Sequence, residues 1–173
     1  DYTSAGISVS VLLTNSFTVA DLSGIGFTVN DFAAADVPPT ELVSAGFSVG
    51  QLLAGGYTLS DLSNVSLTVA DFSGASITPS ILQDNGYTAT DLVLIGYTLP
   101  EIISAGYTIT ELYEASFTAN QLLDAGYTAE QLVAAGYTFT DLNLADVPVA
   151  QLTSLGASPA DLYSAGVSVS DLI

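Results

Sequence analysis

An all-α solenoid of about 17 short helices, one for every ten residues, is the fold this sequence predicts. Three observations predict it. The phrase Gly126-Tyr127-Thr128-Ala129-Glu130-Gln131-Leu132-Val133-Ala134-Ala135 restarts at once as Gly136-Tyr137-Thr138, and the period keeps step with the residue numbering throughout. Residue numbers ending in 8 are Ser or Thr except Pro38 and Pro148, and those ending in 1 are Asp, Glu or Gln except Val11 and Ile81. Numbers ending in 2 are Leu, Ile or Phe except Tyr2, and those ending in 6 are Gly or else Ser or Asp. A unit this short cannot bury its own apolar face, so the units must stack on one another.

Each position of the phrase has a place in a short helix. Thr128 is an N-cap whose hydroxyl accepts from the backbone three residues on, and Gln131 reaches back to the cap amide, which completes a capping box. The same role falls to Thr18, Thr28, Thr58, Thr88, Thr98, Thr108, Thr118 and Thr138. Tyr127 before the cap and Leu132 at the fourth helical position are spaced as a hydrophobic staple. Gly136 stands just past the helix, where a left-handed residue is wanted, and Tyr137 packs back as in a Schellman ending. Pro39, Pro79 and Pro159 fall at the first helical position, where a missing amide costs nothing. A helix of about seven residues is roughly 10 Å long. It is too short to survive alone and must bury the face made by positions ending in 9, 2 and 5 against its neighbours.

Along the chain the first clear copy is Gly6-Ile7-Ser8, followed by a degenerate one in which Val11 replaces the acid. From Asp21 the pattern is regular, with variants at Asp36-Val37-Pro38-Pro39, Ser76-Ile77-Thr78-Pro79 and Asp146-Val147-Pro148. No linker or composition shift interrupts it, so residues 1–173 read as a single continuous array. Both ends fall mid-phrase and methionine is absent, which suggests a segment of a longer chain or filament.

The charge is one-sided: 18 Asp and Glu against no Lys, Arg or His, a formal net charge of −18. Binding to nucleic acid or an anionic membrane needs cations to neutralise phosphates, and this chain has none. Hydrophobic residues make up 49% and mean hydropathy is +0.54, which excludes a disordered polar tail. No apolar run approaches the ~18–20 residues of a membrane span, so membrane insertion is not expected. Cysteine is absent, so neither disulfides nor thiolate chemistry enter. The absence of Lys and Arg leaves no trypsin site, which suits an extracellular or cell-surface location.

Each column can be asked for chemistry. Most of the acids lie in the column ending in 1, and a stack of carboxylates could bind a divalent cation such as Ca²⁺. The competing reading, which the Gln members favour, is that each residue caps its own helix at the positive end of the dipole. The stripe Phe47, Tyr57, Tyr87, Tyr97, Tyr107, Phe117, Tyr127 and Tyr137 reads as packing between successive helices. Asn64-Val65-Ser66 is the lone N-glycosylation sequon, which makes Asn64 a candidate glycan site. Catalysis has only carboxylates to work with, and no acid outside the column sits in a motif. No catalytic, cofactor-binding or metal site is expected, and the chain reads as not an enzyme.

The phrase G-[YF]-[ST]-x-x-[DEQ]-L-x-x-A resembles the decapeptide-repeat solenoid arrays of large microbial and protist surface proteins. The resemblance covers the whole chain; it implies the fold and brings no activity with it. Ala70-Asp71-Phe72-Ser73-Gly74 and Ala160-Asp161-Leu162-Tyr163-Ser164 also resemble the A-[DN]-[LF]-x-x phrase of pentapeptide-repeat proteins. That likeness implies, as the alternative fold, a right-handed β-helix. The functional expectation is a structural, non-catalytic extracellular fibre, stalk or adhesin, with the chain itself as head-to-tail partner, and with divalent cations or glycans as further ligands. The alternatives are an acidic DNA mimic that binds a topoisomerase, which the pentapeptide likeness implies, and a solenoid scaffold for a protein partner.

Overall fold

The computed structural model describes residues 6–168. Fifteen α-helices and no strand form among them. They are α1 (Val9–Thr14), α2 (Val19–Gly24), α3 (Val29–Ala33), α4 (Pro39–Ser44), α5 (Val49–Ala54), α6 (Val69–Gly74), α7 (Pro79–Asp84) and α8 (Ala89–Ile95). There follow α9 (Leu99–Ala105), α10 (Ile109–Glu114), α11 (Ala119–Asp124), α12 (Ala129–Ala134), α13 (Phe139–Leu144), α14 (Val149–Ser154) and α15 (Pro159–Ser164). The fold is the all-α repeat solenoid, and the β-helix alternative does not form among these residues. The reason is local: an extended residue, as at Thr18 (φ −92, ψ 162), Thr108 (φ −73, ψ 160) and Thr138 (φ −83, ψ 163), is followed at once by helix.

Every helix starts at a number ending in 9, and what stops it is equally regular. After α12, the Gly136 amide bonds the Val133 carbonyl (3.1 Å) and the Tyr137 amide bonds that of Leu132 (3.0 Å), with Gly136 at φ +108. This is the Schellman pair of hydrogen bonds. Of the positions in this column without glycine, Ser16, Asp36, Ser76, Ser116 and Asp146 adopt the same left-handed conformation, and Ser66, in the copy that forms no helix, does not.

One copy departs from the pattern. After Thr58 the expected α-helix is replaced by consecutive turns whose amides reach back three residues: Leu62 to Leu59 (3.1 Å), Ser63 to Ser60 (3.3 Å) and Val65 to Leu62 (3.0 Å). Ser60, Ser63 and Asn64 all favour local hydrogen bonding over helix. The Ser63 hydroxyl indeed donates to the Ser60 carbonyl at 2.8 Å.

The column ending in 2 forms the core, and Leu22, Phe32, Leu42, Leu52, Leu92 and Leu132 are fully buried. Each such side chain contributes about 1.5–3 kcal/mol of transfer free energy. Val9, Val19, Val49, Ala89, Ala119 and Ala129 flank it, as do Phe27, Tyr107 and Tyr137 from the column ending in 7. Apart from tyrosines such as Tyr87 and Tyr137, whose hydroxyls bond backbone carbonyls, no polar or charged residue is buried among the described residues, so cohesion between helices is mainly apolar.

The chain divides into two compact units, one running to Tyr87 and including Ile95–Tyr97, the other comprising Thr88–Leu94 and the residues from Thr98 on. In the first, α3 packs on α5 and α5 on α6; in the second, α11 packs on α13 and α13 on α15. Each of these partners stands twenty residues along the chain. One coil of the solenoid therefore contains two decapeptides.

Candidate functional site

The most regular polar feature is the cap in front of each helix. At Thr18 the hydroxyl accepts from the Asp21 amide (3.1 Å) and donates to the Asp21 carboxylate (2.6 Å), which also accepts from the Thr18 amide (2.9 Å). Thr88 with Asp91, Thr108 with Glu111 and Thr138 with Asp141 repeat all three bonds. Thr58 makes the same set with Asp61, although turns rather than helix follow it. Thr118 and Thr128 pair with the neutral amides of Gln121 and Gln131. Thr28 and Thr98 complete capping boxes with Asp31 and Glu101, whose carboxylates accept from both the cap amide and the cap hydroxyl. The exceptions are consistent chemically. Pro38 and Pro148 have neither hydroxyl nor amide to offer, and no cap hydrogen bond forms there.

These bonds act on the carboxylates. The cap hydroxyl first, and the cap amide second, hold Asp21, Asp31, Asp61, Asp71, Glu101 and Asp161 below the ordinary carboxylate range. A hydrogen bond donated to the charged form stabilises that form. The boxes lie on the exposed surface, and no group of three acidic side chains converges to hold a metal ion among the described residues. Asn64 and Ser66 of the sequon are both exposed, on the one copy that forms turns.

Tyrosines supply polar links between coils. The Tyr57 hydroxyl donates to the Val37 carbonyl and that of Tyr137 to the Phe117 carbonyl, each twenty residues earlier, while Tyr87 reaches Leu59 at 2.8 Å. Burial pushes Tyr137 up to about 12, helped by the charge of Asp141 and by Tyr113. Tyr107 is pushed to about 12 by burial and by the charges of Glu111 and Asp91.

A groove of about 630 Å³ opens in the second unit. The half-exposed ring of Tyr113 stands edge-on to Tyr137, with centroids 4.7 Å apart, and the exposed side chain of Leu144 completes the apolar wall. Glu114 and Asp141 bring carboxylates to its rim.

The family model of the decapeptide repeat region matches residues 77–148 and 117–173, which together take in more than half of the chain. The chain belongs to the decapeptide repeat family. No curated protein and no solved structure matches it.

Within this decapeptide-repeat chain the nine threonines singled out by spacing all stand at starts of copies, but the fold does not gather them into one place. They are spread one per repeat. The groove, by contrast, was missed by column reading, because numbers ending in 3 and 4 carry no rule and Tyr113 and Leu144 sit there. The available signals were an aromatic at position 113, where most copies have an aliphatic or small residue, and a leucine at position 144, where most have a small or polar one.

Proposed function

We propose that this decapeptide array is a structural, non-catalytic segment of an extracellular or cell-surface fibre, stalk or adhesin, assembled by stacking of repeats and by head-to-tail contact between copies. The observation that carries the proposal is the coil-on-coil packing. Each coil covers the next with the same columns, so the surface it presents is complementary to the matching surface of another copy. A heterologous contact of that kind propagates instead of closing.

The state of the acids supports a non-catalytic role. General acid catalysis uses carboxyl groups tuned upward toward neutral pH, whereas the cap carboxylates whose values shift are held down. No helix among the described residues is long and apolar enough to cross a membrane. An uncompensated charge of −18 and a surface without lysine or arginine suit an exposed, protease-rich setting.

The test is light scattering coupled to size-exclusion chromatography across a hundredfold concentration range at neutral pH, followed by electron microscopy of the same samples. Species that grow with concentration and carry a regular axial repeat are expected. A constant monomer mass across the range overturns the assembly reading.

A further inference from the structure

We propose that the groove between α10, α11 and α13 is a docking site for a basic peptide segment of a partner protein, read through an arginine side chain. This goes beyond self-assembly and does not depend on it. The apolar wall is Tyr113, Phe117, Tyr137 and Leu144, with Tyr113 40% and Leu144 77% exposed. Leu94 and Tyr163 of the same unit are exposed as well, but neither lines this groove; Tyr113 and Leu144 stand together on one wall of it. Tyr113 is held in place from behind: its ring packs edge-on against Tyr137 and lies over the backbone of Gly136, where an added Cβ would stand 3.9 Å from Tyr113 Cε1. Tyr137 is itself anchored by its hydrogen bond to Phe117. The aromatic face is thus preorganised.

The rim decides the occupant. Glu114 is the last residue of α10, where the helix dipole is negative and a carboxylate is disfavoured. With no Lys, Arg or His anywhere in the chain, Glu114 has no cation to pair with, and Asp141, whose carboxylate also caps α13, adds a second charge to the lining. A second copy of this chain would bring no Lys, Arg or His side chain to these carboxylates, so self-contact leaves the charge of the groove unmatched. A planar guanidinium fits both features: it stacks on the tyrosine face and forks to a carboxylate. The apolar neighbours of such an arginine would rest on Leu144.

The experiment titrates the full chain with an acetylated, amidated hexapeptide of alternating Arg and Leu, followed by amide chemical shifts. A peptide with citrulline for each Arg keeps the shape and removes the charge. Saturable one-to-one binding is expected, with shifts concentrated at residues 113–120 and 137–145. Tyr113→Ala and Glu114→Gln should each weaken it by about tenfold, and Tyr163→Ala, which removes another exposed tyrosine, should leave it unchanged. Glu114→Gln removes the charge at an exposed side chain, so it reports even if Tyr113→Ala perturbs the fold. Shifts spread evenly along the acidic caps overturn the proposal, because they mark general attraction to the −18 surface. Equal affinity for the citrulline peptide, or an unchanged affinity in Glu114→Gln, overturns it as well.

Discussion

Replacing Gly55 with alanine tests how tightly one coil sits on the next. Gly55 follows α5 at φ −88, a conformation alanine adopts without strain, and most other copies hold alanine at this place, as at Ala45, Ala105 and Ala135. Chain entropy alone would make Gly55→Ala stabilising by about 0.4–1 kcal/mol. The neighbouring coil reverses the sign. An added Cβ would stand 2.2 Å from Val29 Cγ1 and 2.5 Å from Val29 Cβ, far inside contact distance. Val29 opens α3, is buried, and is β-branched, so it cannot swing clear cheaply. Overpacking of this kind costs about 1–3 kcal/mol. The net expectation is a loss of about 1–2 kcal/mol, read from urea unfolding followed by circular dichroism. Gly24→Ala and Gly74→Ala, where an added methyl meets nothing within 4 Å, should instead stabilise. The double variant Val29→Ala with Gly55→Ala removes the nearer clashing atom, Cγ1, though not Cβ, and should lose less than the sum of the two single changes. A Gly55→Ala chain at least as stable as the parent would refute the close approach of α3 and α5.

Three further outcomes follow from the caps and turns. Thr138→Ala removes a hydroxyl that both accepts from and donates to Asp141, and should cost about 1 kcal/mol in thermal or urea unfolding. Ser116, left-handed at φ 65, should become more stable by about 0.5 kcal/mol as glycine, while Gly126→Ala, at φ 95, should lose about 1 kcal/mol. Glu101 has a folded pKa lowered from 4.5 by Thr98, so its stabilisation is complete above that range and is lost as pH falls through the lowered value. Glu101→Gln keeps an acceptor for the cap but not the titration. The difference in melting temperature between parent and variant should therefore shrink between pH 6 and pH 3, and a constant difference would show that the charge contributes nothing.

Much of this architecture was legible because local rules act within ten residues. The cap at Thr128, the staple from Tyr127 to Leu132 and the left-handed Gly136 are each decided by near neighbours, so spacing alone locates the helix between them. The copy after Thr58 shows the limit. Its cap, acid and leucine are all present, yet Ser60, Ser63 and Asn64 tip a marginal helix into turns, a balance of small terms that a column pattern does not weigh. The coil of two decapeptides was not legible either. All copies carry the same columns, so nothing in the period says whether α11 rests on α12 or on α13. The groove escaped for the opposite reason: Tyr113 and Leu144 are individual departures, visible only once α10 and α13 are side by side.

A coil of two decapeptides also sets the unit in which such a protein can grow or shrink. Duplicating twenty residues inserts a whole coil, and the tyrosine hydroxyl that spanned from position 137 to 117 finds an equivalent carbonyl waiting. Duplicating ten residues moves every downstream copy to the opposite side of the coil, where a Gly55 meets a different partner from Val29 and a tuned contact becomes a mismatch. Changes in array length should therefore survive far more often in even numbers of decapeptides than in odd ones.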